Sequence, residues 1–323
     1  MISRVSLRCT QATCIIYFIL MWNLSSRVHH LNHFPAQEVN CYVKRDDELG
    51  CGISGSKLRK YASLFPFLIK QGIQHLIIIA GPQSNNLLAA LQLAREFKLN
   101  VTVFLIQPWK LELQGNYKLS RLFLDEREIV WVNRDQWPQV NELAYNYLHA
   151  LKEPGFVLEE GASVLEAMSG ALTLADDIIL NEYALDLKFQ HIFMDAGTGF
   201  SATALINGLN RLNHLAQVHV LLLADNESIF RNKLEQWIGF IPQNFLCFYP
   251  TTAKAFGSVN QTIKNEVKRM AREEGILADP IYAAKLFYES RKCIESQKLK
   301  GNVLIIHSGG TLTMPGFNYI ANK

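Results

Sequence analysis

Cysteine is scarce and scattered in this chain. Six occur in 323 residues, at Cys9, Cys14, Cys41, Cys51, Cys247 and Cys293, and none forms a Cys-x-x-Cys pair. Neither a zinc site nor a disulfide framework follows from that pattern, and a reducing compartment is the simpler setting. Excess charge is small. With 32 basic and 29 acidic residues the formal charge is +3, and no basic run alternates with aromatics, so a nucleic-acid partner is not expected. His29-His30-x-x-His33 has no neighbouring carboxylate, and no metal is expected. The chain also lacks internal repeats, low-complexity stretches and any linker rich in proline and serine. Its most apolar N-terminal run, residues 14–22, is too short to cross a bilayer.

What is present reads as an α/β protein. An apolar fraction of 49% and a charged fraction of 19% are those of an ordinary globular chain, and the length has room for two domains and a large core. Three apolar runs end in glycine-containing turns. Residues 75–80 precede Gly81 and a helical pattern through Leu87, Leu88, Leu91 and Ala94; residues 191–195 precede Gly197-Thr198-Gly199 and a helix through Ala204, Leu205 and Leu209; residues 303–306 precede Ser308-Gly309-Gly310. Further strands are expected at 101–106, 129–132, 218–223 and 245–248. Continuous apolar strands alternating with helices indicate parallel sheets covered on both faces. Ligands of such sheets sit beyond the carboxyl ends of the strands, where the three glycine turns fall.

Five segments carry candidate chemistry. Lys57 follows Gly52-Ile53-Ser54-Gly55-Ser56 and opens a helix, so it can approach a cofactor with little backbone obstruction. If desolvated, its amine becomes a usable nucleophile and base. The competing reading is that Lys44, Arg45, Lys57, Arg59 and Lys60 form a solvated basic face. Gln83-Ser84-Asn85 opens the next helix, where serine and asparagine serve equally as caps or as part of a carboxylate-binding N-terminus. Gly197-Thr198-Gly199-Phe200-Ser201-Ala202-Thr203 offers backbone N–H groups and hydroxyls to a phosphate. The same segment, followed by Asp225, also has the layout of a dinucleotide fingerprint. Tyr282 is a site phenol or a helix residue packing with Ile281 and Leu286, and Ser308 is a site hydroxyl or a turn serine.

Taken in order, Lys44-Arg45-Asp46-Asp47, Gly55-Ser56-Lys57-Leu58-Arg59-Lys60, Gln83-Ser84-Asn85, the run from Glu274-Gly275-Ile276 through Asp279-Pro280-Ile281-Tyr282 to Lys285, and Ile306-His307-Ser308-Gly309-Gly310 resemble the signatures of a known family. It is the pyridoxal-phosphate enzymes related to 1-aminocyclopropane-1-carboxylate (ACC) deaminase and D-cysteine desulfhydrase, of the larger group with a tryptophan synthase β-like fold (fold type II). The likeness covers about residue 40 to about residue 315. It implies two open twisted sheet domains with the cofactor in the cleft between them: a large pyridoxal-phosphate domain from residues 23–59 plus 166–323, and a small domain from 60–165. It implies that Lys57 carries the cofactor in imine linkage and then removes the Cα proton, with the pyridinium ring storing the charge. Asn85 would hydrogen-bond the phenolic oxygen. Gly197, Thr198, Gly199, Ser201, Ala202 and Thr203 would hold the phosphate, and Ser308 would approach the pyridine nitrogen. Ser84 would lie near the substrate carboxylate or transfer a proton, with Gln83, Asn85, Phe256 and Tyr282 on the substrate side. A homodimer acting on a small amino acid in the cytoplasm is implied as well.

The chain departs from that family in three places. The deaminases carry glutamate after the tyrosine matching Tyr282 and leucine where this chain has Ser308; here Ala283 and Ser308 stand, which points to the desulfhydrase side, although desulfhydrases usually have serine or threonine in place of Ala283. Phe256 replaces a tyrosine, and Ser56 an asparagine. The expected activity is therefore α,β-elimination from D-cysteine to pyruvate, ammonia and sulfide. ACC deaminase, a catalytically impaired ligand-binding relative and a nicotinamide-dependent enzyme are the alternatives. Residues 1–22 are set aside as an N-terminal extension. Arg4 and Arg8 ahead of an apolar run have the order of a signal peptide without its cleavage site, and Met21 fits a mis-assigned start equally well.

Overall fold

The computed structural model describes residues 22–34, 39–50, 55–109 and 113–319. Cys9, Cys14, Cys51 and the extension up to Met21 lie outside them. The elements run β1 (Val28–His30), β2 (Val39–Lys44), α1 (Lys57–Lys70), β3 (His75–Ala80), α2 (Asn85–Glu96), β4 (Asn100–Ile106), α3 (Gly115–Ser120), β5 (Ile129–Val132), α4 (Val140–Ala150), β6 (Gly155–Leu158) and α5 (Met168–Leu185). They continue through β7 (His191–Ala196), α6 (Phe200–Arg211), β8 (Gln217–Leu222), α7 (Glu227–Ile238), β9 (Phe245–Phe248), α8 (Gln261–Arg269), α9 (Ala283–Gln297) and β10 (Gly301–Ile306). All seven strands expected from apolar runs are present. The three that were not expected, β1, β2 and β6, are short or carry polar residues within their apolar pattern.

Two sheets result, ordered β5-β4-β3-β6 and β1-β2-β10-β7-β8-β9. Every pairing is parallel except that of β1 with β2. The alternation of side chains along a strand explains how both faces are filled. In β3, Leu76 and Ile78 pack with Leu87 and Leu91 of α2, whereas Ile77 and Ile79 pack with Val140 and Ala144 of α4. In the larger sheet, Phe193 and Ile305 face Leu286 and Phe287 of α9, while Ile192, Met194 and Leu304 face Leu205 and Leu209 of α6. Among the described residues no helix is long and apolar enough to cross a membrane.

Helix α1 bridges the two sheets. It crosses α5 so closely that a Cβ added at Gly170 would lie 2.0 Å from the Arg59 carbonyl oxygen. Beneath it the Arg59 guanidinium donates to both oxygens of Asp46 (2.8 and 2.7 Å) and to Asp177 (2.7 Å). Lys44 Nζ donates to Asp177 (2.6 Å), Asn181 and the Ser26 carbonyl. Two cations thus meet two carboxylates, the arrangement that lets buried charges persist. This overturns the solvated-face reading, because Lys44, Arg45, Arg59 and Lys60 are all buried.

Candidate active site

The carboxyl ends of β7 and β10, the start of α1 and the start of α2 meet at one cleft. After β7 the chain turns through Gly197 to Gly199, whose φ of 86° lies in the left-handed region that favours glycine, and enters α6. The first bond of that helix is Thr203 N to Gly199 O, 2.9 Å. The N–H groups of Phe200, Ser201 and Ala202 therefore precede any intrahelical acceptor and form the positive end of the helix dipole. Thr203 Oγ1, one residue further on, is buried without a partner among the described residues. Thr198 instead turns its hydroxyl to Ser163, whose Oγ donates to it at 3.1 Å.

Lys57 reaches the same cleft from α1. Gly55 precedes it at φ 61°, and a Cβ there would fall 2.0 Å from Ser308 O, which also accepts from Ser56 N at 2.9 Å. The turn before the lysine is thus pressed onto the turn after β10. Lys57 Nζ lies 5.8 Å from the centre of the Tyr282 ring. Burial lowers its pKa, with Asp195 and Asp279 opposing that effect. The result is an amine more readily deprotonated than a surface lysine.

Asn85, first residue of α2, is oriented by its neighbours. Asn116 Nδ2 (2.6 Å) and Thr313 Oγ1 (2.9 Å) both donate to its Oδ1, so Nδ2 is the end left to donate. Ser84 is a helix cap, accepting from Asn86 N and Leu87 N, and its own hydroxyl proton stays available. Gln83 is exposed and tied to α3, donating to Gln114 O and accepting from Tyr117 N, so both ends of its amide are engaged. Tyr282 stands just before α9 with its ring over Gly197, where a Cβ would meet Tyr282 Cε1 at 3.3 Å. Burial first, then Asp195 and Asp279, push its phenol pKa up, so it stays protonated. Phe256 packs edge-on against that ring at 6.0 Å and is 54% exposed, at the mouth of the cleft. Its loop is held by Lys285 Nζ, which donates to Ala253 O at 2.7 Å.

Three groups here had no role assigned from the sequence: Asp195, Asp279 and Lys60. Ser308 is buried and its Oγ donates to Asp195 at 3.0 Å, a pairing across 113 residues. Asp279 caps α9 with three backbone bonds, from Ile281 N, Tyr282 N and Ala283 N. Lys60 Nζ donates to Gly161 O at 2.7 Å. Only Asp195 carried a readable signal, a carboxylate at the end of an apolar strand just before a glycine turn. Asp225, the acid of the dinucleotide reading, is ion-paired with Lys233 at 2.5 Å.

These residues fit pyridoxal phosphate. A helix N-terminus with free amides and an orphaned hydroxyl suits its phosphate, a desolvated amine suits its aldehyde, and the Asn85 amide suits its phenolic oxygen.

No protein-family model matches the chain. The "putative 1-aminocyclopropane-1-carboxylate deaminase" of Pyrococcus horikoshii is 25% identical over 279 residues, covering 83% of this chain and 84% of that protein. A D-cysteine desulfhydrase of Yersinia pestis is 27% identical over 301 residues, covering 88% and 90%. Among solved structures, an ACC deaminase homologue superposes with a TM-score of 0.77 at 21% identity, over 94% of this chain and 96% of that one. The chain is thus similar over nearly its full length to both ACC deaminases and D-cysteine desulfhydrases, on a shared fold and through ordered segments that converge on one cleft.

Proposed function

We propose that this chain is a pyridoxal-phosphate-dependent lyase or deaminase of a small amino acid, and that it eliminates sulfide from D-cysteine to leave pyruvate and ammonia. The observation that carries this reading is the convergence of the Lys57 amine with the unpaired N-terminus of α6. Pyridoxal phosphate bound there supplies an electron sink for the charge left at Cα. The amides of Phe200, Ser201 and Ala202, with the Thr203 hydroxyl and the Gly197 to Gly199 turn, bind its phosphate. Asn85 Nδ2 donates to the ring hydroxyl, and Ser308 borders the ring. Lys57 Nζ, its pKa lowered by burial, takes the Cα proton. Ser84 Oγ donates toward the substrate carboxylate while its lone pairs cap α2, and Gln83 supports that wall through Gln114 and Tyr117. Tyr282 offers a neutral phenol beside Lys57, and Phe256 closes the mouth. The reading carries with it a large unit (23–59 and 166–323), a small unit (60–165), and a homodimer in the cytoplasm.

A second reading, deamination of ACC to 2-oxobutanoate and ammonia, is favoured by one observation. Asp195 supplies a buried carboxylate in the cleft although Ala283 carries none. The test is the visible spectrum of purified protein with pyridoxal phosphate, before and after borohydride, beside Lys57→Ala, followed by sulfide release from D-cysteine and 2-oxobutanoate release from ACC. A lysine-dependent yellow band with sulfide release supports the proposal. Absence of the band refutes the cofactor assignment, and 2-oxobutanoate without sulfide selects the second reading.

A further inference from the structure

Asp195 and Ser308 form a buried pair that capping and packing do not explain. Asp195 is the penultimate residue of β7, two residues before the glycine turn into α6, and Ser308 lies two residues beyond β10, the neighbouring strand. The Ser308 carbonyl is bonded to the turn that carries Lys57, and its hydroxyl to Asp195. The pair is therefore the floor between the two anchors of the cleft, the amine of Lys57 and the N-terminus of α6. A flat ligand held at both anchors would meet this pair along its edge. The other carboxylate near Lys57, Asp279, has both oxygens committed to backbone N–H groups of α9. Asp195 accepts only from Ser308 among the described residues, which leaves its second oxygen for the cleft.

A serine hydroxyl has one proton. While Ser308 donates it to Asp195, the oxygen can offer the cleft only lone pairs, and an acceptor facing a ring nitrogen selects the protonated ring. We propose that Asp195, acting through Ser308 Oγ, holds a proton at the pyridine nitrogen of the bound cofactor, replacing from β7 the carboxylate that Ala283 lacks on α9. The exchange is balanced. A protonated Asp195 gives its proton to Ser308 Oγ as Ser308 gives its own to the ring nitrogen, and a carboxylate facing a pyridinium remains. Burial raises the Asp195 pKa, with Lys57 opposing and Asp279 adding to the rise, so the carboxyl favours its protonated form until a cation faces it. The charged or titratable groups around the pair are Lys57 from α1, Asp279 and Tyr282 from the segment before α9, and His307 beside Ser308. Asp195 is on this view a positioning residue, and the inference rests on the cofactor assignment above.

The experiment loads the protein with pyridoxal phosphate labelled with 15N in the ring and compares the wild type with Asp195→Asn, Asp195→Glu and Ser308→Ala by 15N NMR at neutral pH. The expected result is a pyridinium resonance in the wild type and in Asp195→Glu, and a shift to the unprotonated position in Asp195→Asn and Ser308→Ala. If Asp195→Asn fails to fold, Ser308→Ala carries the same comparison. A lysine-bound chromophore in every folded variant with an unchanged 15N resonance overturns the inference and leaves the cofactor assignment standing. No chromophore in the wild type overturns both.

Discussion

Replacing Lys60 with methionine tests whether the fold holds an ammonium group at a cost. Lys60 is 3% exposed, its Nζ donates to Gly161 O and sits 4.9 Å from the Phe200 ring centre, and no carboxylate pairs with it among the described residues. Burial, and then repulsion from Lys57, lower its pKa from 10.5 to about 7. At 1.36 kcal/mol per pH unit that interval is about 5 kcal/mol. Below pH 7 both the folded and unfolded chains carry the proton and the full penalty applies. Between about pH 7 and about pH 10.5 the folded chain has released it while the unfolded chain has not, so stability rises with pH. Methionine removes the penalty but loses the bond to Gly161, worth about 1 to 3 kcal/mol. The variant should therefore be more stable than wild type by about 2 to 4 kcal/mol near pH 6 and lose that advantage by about pH 10. Urea unfolding of the cofactor-free proteins across this range measures the difference directly. A difference independent of pH would refute the reasoning.

Gly55→Ala places a methyl group 2.0 Å from Ser308 O at a left-handed φ, and should cost at least about 2 kcal/mol in urea unfolding and abolish the lysine-bound chromophore. Asp177→Ala leaves Lys44 and Arg59 with one carboxylate between them, at a cost of about 3 to 5 kcal/mol. In the wild type the Asp177 pKa is lowered, burial being outweighed by Lys44 and Arg59, so its contribution is present above pH 3.8 and lost as pH falls through the folded value; acid titration of stability should show that loss, and the variant should lack it. Phe256→Tyr, at an exposed position, should leave stability within about 0.5 kcal/mol and raise kcat by about 10²-fold or more with D-cysteine, and an unchanged kcat would remove position 256 from the chemistry.

The parallel strands were legible because residues buried on both faces leave an uninterrupted apolar run, as in His75–Ala80. β2 was not, because Asn40 and Lys44 interrupt its pattern, and the partners that let Lys44 be buried include Asp177, 133 residues away. The same limit governs the site. Lys57, Asn85 and the Gly197 turn lie in local segments with recognisable spacing, so they could be named from sequence. The partners that orient or titrate them come from elsewhere in the chain: Thr313 for Asn85, Asp195 for Ser308, Gly161 for Lys60. Gln83 shows the converse, a residue within a recognisable segment whose side chain is claimed by α3.

The position of β10 has a consequence for how the protein is made. The last strand among the described residues lies between β2 and β7, near the middle of the six-stranded sheet, with Ile305 paired to Val43 on one side and Phe193 on the other. During synthesis the four-stranded sheet, drawn from one continuous stretch of residues 75–158, can assemble as soon as it emerges. The larger sheet must wait with β2 and β7 apart until residue 306 has left the ribosome. The turn bearing Ser308 can close onto Gly55 only then, so the cleft around the reactive lysine is completed after the four-stranded sheet has emerged.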